Sequence, residues 1–526
     1  MKHHESGLPL LSRRNALKNA LSVGIATGLA RFGSTASAFQ PSIFAAISGA
    51  GVPQEPLVLN HEPMLFLDHR FIARSENLRL KLHPPKETGE RLLESEHPWE
   101  NATLNWFTVL NDGGRYRMWY ECYDVEGWPT ADDTSFCYAE STDGVHWIKP
   151  ELGLYEYRGS RKNNILFRQI GEGNFRSRVH GSCVFLNPKG PPEHRYLCVS
   201  QGLFQGIGDR PYYIAGMSSP DGIHWTRLPK PICHVFADSQ YSGFYDSNRE
   251  RYILYGRTGG RNGRAIGRST SDHIEEFPPL ELTLQADEQH PGDADLYNPA
   301  CGPLPGHPGY FLMMPSLFRH GADTLDIHLA VSADGVHWTW PDSQTPFISL
   351  GDPGSFDGGS LYMANGGGVL TGNDISFYYS GSLLKHEEVE LDKLSQPENR
   401  RVFTRAVCDR TRLVSLSAPE TISSDEGWFE TPDFQCDGPA MLNTPIELDA
   451  DIAEGGHVQL EFMNRDGKVI RGRGRDDYRQ KLVSRNRLQI QWQAPVETAE
   501  ISDHQIRLRV HIRRASLFGI QFVKTD

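Results

Sequence analysis

The chain has 526 residues, with 53 Lys and Arg against 66 Asp and Glu, a formal net charge of −13, 10% aromatic residues, 51 Gly and 34 Pro. At roughly 100–200 residues per domain, this length predicts more than one domain, or one large β-rich domain with an addition. Plentiful Gly, Pro, Tyr and Trp favour β-sheet with many turns, aromatic residues along the whole chain exclude a disordered protein, and the acidic balance disfavours a nucleic-acid reader, since no concentrated basic face is legible.

Residues 1–38 read as an export signal. Arg13-Arg14 precedes a mildly apolar run over 20–30, and Ala36-Ser37-Ala38 offers small residues for cleavage. Paired arginines before so weak a hydrophobic run are the pattern of a twin-arginine signal, which exports folded proteins. The alternative is an uncleaved amphipathic anchor. Beyond it, 39–56 reads as a linker, and no later apolar run is long enough to span a bilayer. The mature chain is therefore expected in the periplasm or outside the cell, with no transmembrane anchor. Eight cysteines, at 122, 137, 183, 198, 233, 301, 408 and 436, form no CxxC pair. A zinc knuckle is disfavoured, and small buried thiols on strands are expected.

An internal repeat organises the middle. Ser141-Thr142-Asp143-Gly144-Val145-His146-Trp147 recurs as Ser219-Pro220-Asp221-Gly222-Ile223-His224-Trp225 and as Ser332-Ala333-Asp334-Gly335-Val336-His337-Trp338, with a decayed copy at Thr270-Ser271-Asp272-His273. Asp-Gly between apolar runs favours a tight turn, because Gly accepts positive φ and Asp bonds nearby amides. The following Trp is large enough to fill a gap between sheets. A ring of ligand-binding histidines is the functional alternative; a repeated hairpin tip on a rim favours scaffold.

Strands expected at 105–110, 116–122 and 135–140 make a first small antiparallel sheet, and 181–186, 195–199 and 212–217 a second. A third holds 240–245, 251–256 and 264–269, and a fourth 298–302, 310–314 and 325–331. The fifth takes 360–364 and 375–380, closed by 405–407 and 413–416. Repeated four-stranded sheets describe a five-bladed β-propeller over 57–418, with strands between 60 and 86 helping to close the ring. Alternating runs at 458–462, 487–492, 505–512 and 516–522 predict a C-terminal β-sandwich over 419–526, either a carbohydrate binder or a passive cap. The fold class is all-β.

Inner strands of a propeller start near its axis, so polar groups at those starts converge. Down the blades these are Glu100, then Arg178 and His180, then Asp238, Asp295 and Asp357. Paired carboxylates suit glycosidic cleavage: one protonates the leaving oxygen while the other activates water or attacks carbon. The structural alternative for each is an acceptor bracing a loop. Arg257, Arg319 and His320, with Arg178, suit an anionic sugar, because a guanidinium grips carboxylate or sulfate bidentately. Inter-blade ion pairing is the alternative. Trp99, Tyr297 and Tyr241 are candidate stacking walls or core. Asp238 and Asp295 are the first choices for acid–base work, with Glu100 next. No cofactor or metal is expected, with calcium at Asp293 and Asp295 as an open alternative.

The run from Tyr138-Ala139-Glu140-Ser141 to Trp147, continued by Ile148-Lys149-Pro150-Glu151-Leu152-Gly153-Leu154 and Asn163-Asn164-Ile165, resembles a group of exported proteins of planctomycete-like bacteria. That group is related to the five-bladed propeller glycoside hydrolases, the superfamily of invertases, levanases, arabinanases and β-xylosidases. His83-Pro84-Pro85, Pro98-Trp99-Glu100 and Asp295-Leu296-Tyr297-Asn298 fit the same group, and the resemblance covers nearly all of 57–526. It implies a propeller glycosidase acting on an oligo- or polysaccharide. The chain departs from it where specificity lies. The Trp-Met-Asn-Asp-Pro-Asn-Gly and Arg-Asp-Pro motifs of invertases are missing, Glu121-Cys122 sits in the first blade rather than a later one, and His180 stands where arabinanases carry an acid. Asp68 is a possible substitute for the first-blade acid. Fructose and arabinose specificities therefore do not transfer, and a non-catalytic carbohydrate-binding propeller is the competing reading.

Overall fold

The computed structural model describes residues 57–58 and 61–523, apart from 127–133, 169, 173–174, 178, 205–211, 236, 239, 389, 419–425, 436–439 and 497–504. The fold is almost entirely β, with sheets arranged as in a propeller.

The first sheet orders Thr103–Asp112, Arg115–Tyr123, Ser135–Ser141 and Ile165–Phe167 as antiparallel neighbours. The second places Cys183–Leu186 beside Tyr196–Leu203, then Tyr212–Ser219 and Thr226–Cys233. The third runs Ser242–Asp246, Arg251–Gly260, Gly263–Ser271 and Glu281–Leu284. Their central strands are apolar on both faces, as strands packed between neighbouring sheets must be.

The expected strand at 325–331 is two strands in different sheets. Thr324–Ile327 pairs with Ser316–Arg319, whereas Ala330–Ser332 pairs with His307–Met313, which in turn pairs with Cys301–Leu304. The break falls at buried His328, whose Nε2 lies 3.1 Å from Asp326 Oδ1. The sheet of Thr324–Ile327 continues, through a parallel contact of Leu325 with Ser360, into Ser360–Met363, Asp374–Ser382 and Val402–Asp409, and Lys86–Glu87 adds to its edge.

The innermost strands are linked to one another in sequence. Val184 N–H donates to Thr108 Oγ1 (3.1 Å), Gly243 N–H to Cys183 Sγ (3.4 Å), Cys301 N–H to Ser242 Oγ (2.9 Å), and Ser316 Oγ–H to the Leu361 carbonyl (2.8 Å). Asn365 N–H returns to the Phe107 carbonyl at 2.8 Å, and the Cys301–Leu304 strand closes the circuit by packing, with Gly302 against the Gly366 carbonyl.

The repeat explains how neighbouring sheets lock. In each copy the Asp carboxylate accepts the amides two and three residues on, at 2.8 Å in every case, and Gly144, Gly222 and Gly335 all have φ between 73° and 78°. The carbonyl of each buried Gly then docks onto an aromatic donor of a neighbouring sheet. Tyr378 Oη donates to Gly144 (2.8 Å), Trp119 Nε1 to Gly222 (2.6 Å) and Tyr255 Oη to Gly335 (2.7 Å). Trp147 and Trp338 meet the same tyrosines edge-on, each at 6.1 Å. His146, His224 and His337 each lie 2.6–2.7 Å from the Asp of their own turn, so the histidines complete the turns and form no common ring of ligands.

Eleven further strands form one sheet. Its spine is a pair of long strands, Ile446–Asn464 and Gln505–Phe522, with register shifts at 449/450 and 452/457. The expected separate strands at 505–512 and 516–522 are thus one strand, bent at Arg514, whose φ is +46°. Short strands from the start of the described chain join this sheet: Met64–Leu65, Arg74–Glu76 and Arg79–Leu82 pair with Gln505–Phe522, Gly427–Glu430 and Val414–Ser417 respectively. Of the segment expected to close the ring, only Lys86–Glu87 does so, and 414–417 belongs to this sheet and not to a blade. The seven described cysteines are free, and six of them are buried.

Candidate functional site

Asp295 lies on the strand Ala294–Leu296 and is 1% exposed. Its Oδ2 accepts the Arg264 amide (3.0 Å) and Arg264 Nη1 (3.1 Å), and lies 3.1 Å from His320 Nε2. Its Oδ1 is buried with no hydrogen-bond partner. A buried carboxylate oxygen left unpaired is costly, and such costs concentrate at sites that await a ligand. Gly263 makes the approach possible: its φ is +130°, and a Cβ there would stand 2.6 Å from Asp295 Oδ2.

Tyr297 follows two residues later and is the hub of an aromatic group. Its ring meets Trp106 at 6.3 Å, Phe318 at 6.3 Å, Tyr362 at 5.8 Å and His386 at 4.8 Å. Arg257 and Arg264 lie over the same ring, 4.6 and 5.2 Å from its centroid, and Arg401 lies 4.3 Å from the centroid of Tyr362. Arg257 Nη1 also donates to Asp238 Oδ2 at 2.9 Å, and its Nη2 donates to the Tyr297 carbonyl at 3.2 Å. The structure therefore brings Asp238, Arg257, Asp295, Tyr297 and His320 into one cluster. Burial, then the charges of Arg264, Arg401 and Arg257, push His386 down to about 4, with Asp295 opposing. The imidazole is neutral at neutral pH.

The other candidate residues lie in different surroundings. Glu100 is fully buried: Oε2 accepts the Glu96 and His97 amides (2.9 and 3.2 Å) and Lys149 Nζ (2.9 Å), while Tyr120 Oη donates to Oε1 at 2.6 Å. All its contacts brace the loop that enters the first sheet. Trp99 next to it stacks on His97 at 4.5 Å and donates to Asn164 Oδ1 at 3.1 Å, as a core residue does. Tyr241 is fully buried, and its hydroxyl donates to the Ala237 carbonyl. Asp357 accepts Ser355 Oγ–H at 2.6 Å inside its own turn. Arg319 pairs with Asp326 at 2.7 Å, and Asp68 with Arg70 at 2.8 Å. Arg178 lies outside the described residues.

His180 belongs to a second polar group. Its Nδ1 lies 3.3 Å from Tyr123 Oη and 3.7 Å from Oε2 of Glu121, a fully buried carboxylate whose Oε1 accepts the amide and hydroxyl of Ser182. Gln201 bridges this group to the main cluster: its amide N–H donates to the His180 carbonyl at 3.1 Å, and its Nε2 donates to the Asp238 carbonyl at 2.8 Å. Among the described residues no group of three or more His, Cys, Asp or Glu could hold a metal ion. Asp293 Oδ2 accepts the Gly321 amide at 2.9 Å. No helix among the described residues is long and apolar enough to cross a membrane.

Arg264, Arg401, His386, Trp106 and Tyr362 were not among the expected site residues. They lie up to about 300 positions apart in sequence and carry no shared motif, so the place was marked only by the expected residues they surround, Asp238, Arg257, Asp295, Tyr297 and His320.

No family model matches the chain. An uncharacterized protein of Mycobacterium tuberculosis (strain CDC 1551 / Oshkosh) is 30% identical over 172 residues, which is 31% of this chain and 49% of that protein. A second, from strain ATCC 25618 / H37Rv, is 27% identical over 172 residues with the same coverage. The chain spans about half the length of the curated relatives it matches. Solved structures similar to it include one described as a glycoside hydrolase (14% identity, TM-score 0.42, covering 62% of this chain and 92% of that one). Another is an N-acetylgalactosamine deacetylase from F. plautii (19%, 0.41, 64% and 96%). A third comes from the GH130 family of mannoside phosphorylases, which contains glycoside hydrolases that target β-1,2 mannosidic linkages in Candida mannan (14%, 0.41, 68% and 97%). Every one of these scores is below 0.5, so the function rests on the site's own residues.

Proposed function

We propose that this chain is a five-bladed β-propeller glycoside hydrolase, exported through its twin-arginine-type leader, that cleaves an oligo- or polysaccharide at the Asp238–Asp295 cluster. The observation that carries this reading is the unpartnered, buried Oδ1 of Asp295 beside the aromatic group of Tyr297, Trp106 and Tyr362. Sugar rings stack on such faces, and a carboxylate oxygen with no competing donor is available to a hydroxyl, a water or an anomeric carbon. Arg264 orients Asp295 through two bonds to the other oxygen, which leaves Oδ1 as the working atom. Asp238, more than half exposed, is the second carboxyl at the rim of the cluster. The circuit of contacts between innermost strands supports the blade count.

A non-catalytic sugar-binding propeller is the second reading. One observation favours it: Asp238 and Asp295 both pair with arginine, as carboxylates that brace their surroundings do. Purified protein from Phe39 onward, incubated with plant and algal glycans, separates the two. Chromatographic release of sugar that Asp295→Asn abolishes, with folding intact, is the expected result. Release unchanged by Asp295→Asn and by Asp238→Asn would remove the site, and binding without release would establish the second reading.

A further inference from the structure

We infer that the sugar taken by this cluster carries a negative group, a carboxylate or a sulfate, gripped by Arg257, Arg264 and Arg401. The inference rests on the carbohydrate reading above and narrows its substrate class. Three guanidinium groups, two from one hairpin and one from a distant connection, meet around two tyrosines whose rings are 5.8 Å apart. Only two of them have an acid: Arg257 pairs with Asp238 at 2.9 Å and Arg264 with Asp295 at 3.1 Å. Arg401 makes no ion pair among the described residues. Its Nη1 donates to the neutral amide oxygen of Asn105 at 2.7 Å, and its face lies on Tyr362.

A guanidinium held by its flat face and one neutral acceptor keeps in-plane N–H groups for an incoming anion. It presents them as a fork that matches two oxygens of a carboxylate or sulfate. Asp323, near these loops, accepts the Glu387 backbone amide at 3.1 and 3.3 Å and makes no ion pair with Arg401. Arg401 is therefore the one guanidinium of the three without a carboxylate partner among the described residues, and it lies against an aromatic ring. That combination fits a ring that is apolar on one face and anionic at its edge. The neutral state of His386 agrees: burial is its first cause, and all three arginines add to it from one neighbourhood.

The test uses the full mature chain and calorimetric or fluorescence titration. The probes are trigalacturonate, its carboxyl-reduced neutral counterpart, and a sulfated galactan oligosaccharide with its desulfated form. Binding of a charged member at least tenfold tighter than its neutral twin, with Arg401→Gln erasing most of that preference, is the expected result. The carboxylate and sulfate arms tell which anion is meant. Arg401→Lys, which keeps the charge without the fork, is the second variant should Arg401→Gln fail to fold, and it should lose at least threefold on the charged probe. Equal binding of charged and neutral twins would overturn the inference and leave the glycosidase reading standing. A preference untouched by both variants would overturn it as well, and no binding to any glycan would overturn both.

Discussion

Replacing Gly222 with Ala probes how the sheets are locked together. At φ +78° an L-residue costs about 1–2 kcal/mol in the left-handed region. The new Cβ would also stand 2.7 Å from Trp119 Cζ2, and Trp119, only 1% exposed, has no room to retreat. Overpacking of this kind costs about 1–3 kcal/mol, and loosening the Trp119 Nε1–Gly222 hydrogen bond forfeits about 0.5–1.5 kcal/mol more. The variant is therefore expected to lose about 3–6 kcal/mol. Gly153→Ala is the control: its φ is +70°, but nothing lies within 4 Å of the added Cβ, so about 1–2 kcal/mol of backbone strain is all it should cost. Urea titrations followed by tryptophan fluorescence would compare the two midpoints with the parent. Equal losses in both variants would refute the argument that docking of the repeat onto the neighbouring sheet stabilises the ring.

Gly263→Ala should abolish sugar release or binding while Tm falls modestly, because its Cβ would displace Asp295 Oδ2; unchanged function would show that Asp295 does not need that approach. Glu100→Ala leaves two loop amides without their acceptor and Lys149 with only the Glu94 carbonyl and Glu96, and should cost about 3–5 kcal/mol without altering the activity of the molecules that remain folded. Acid should weaken the fold through His386. Its pKa lies near 4 when folded and near 6.5 when unfolded, so its stabilising contribution is complete above pH 6.5 and lost as pH falls toward 4. The loss is about 3 kcal/mol at most, at roughly 1.4 kcal/mol per unit. His386→Asn should flatten the Tm profile over that window, and an unchanged slope would assign the acid sensitivity elsewhere. The Asp of the second repeat works in the same direction at lower pH. Burial opposes its charge, but the His224 amide and ring and the Ile223 amide hold Asp221 down at about 2, so Asp221→Asn should narrow the difference in Tm between pH 5 and pH 2.

The β class, the repeat and most strands of the first three sheets were legible in the sequence, because alternation and an Asp-Gly turn are local signals. Ser135–Ser141 begins where the alternation begins and stops at the turn. The short strands Met64–Leu65, Arg74–Glu76 and Arg79–Leu82 are too brief to show a period, and their partners lie more than 330 residues away, so their sheet could not be read. The split of 325–331 was hidden because both halves are apolar and adjacent, while their partners belong to different sheets. In the site, Asp238, Asp295 and Tyr297 stood out as polar or aromatic groups beside strand starts, and Arg257 as a cation able to hold an anionic sugar. Arg401 and His386 come from the connections around the last propeller sheet, where nothing in the local pattern distinguishes a loop arginine from any other. Glu100 misled for the opposite reason: an acid before an inner strand looks the same whether it faces a ligand or braces its own loop.

The pairing of early strands with late ones has a consequence for biosynthesis. Met64–Leu65 must wait for residues 519–520, and Lys86–Glu87 for 406–407, before either finds its hydrogen bonds. During translation the first segment leaves the ribosome as an unpaired edge, and it stays so while more than 300 further residues are made. The sheets between can assemble as they emerge, since their partners are neighbours in sequence, but the early edge is open to the wrong strand throughout. A chain that stops short of the last strand would thus display a sticky N-terminal segment along with its missing end. A chaperone that held residues 57–87 until synthesis finished would protect the product more than one that attended to the blades.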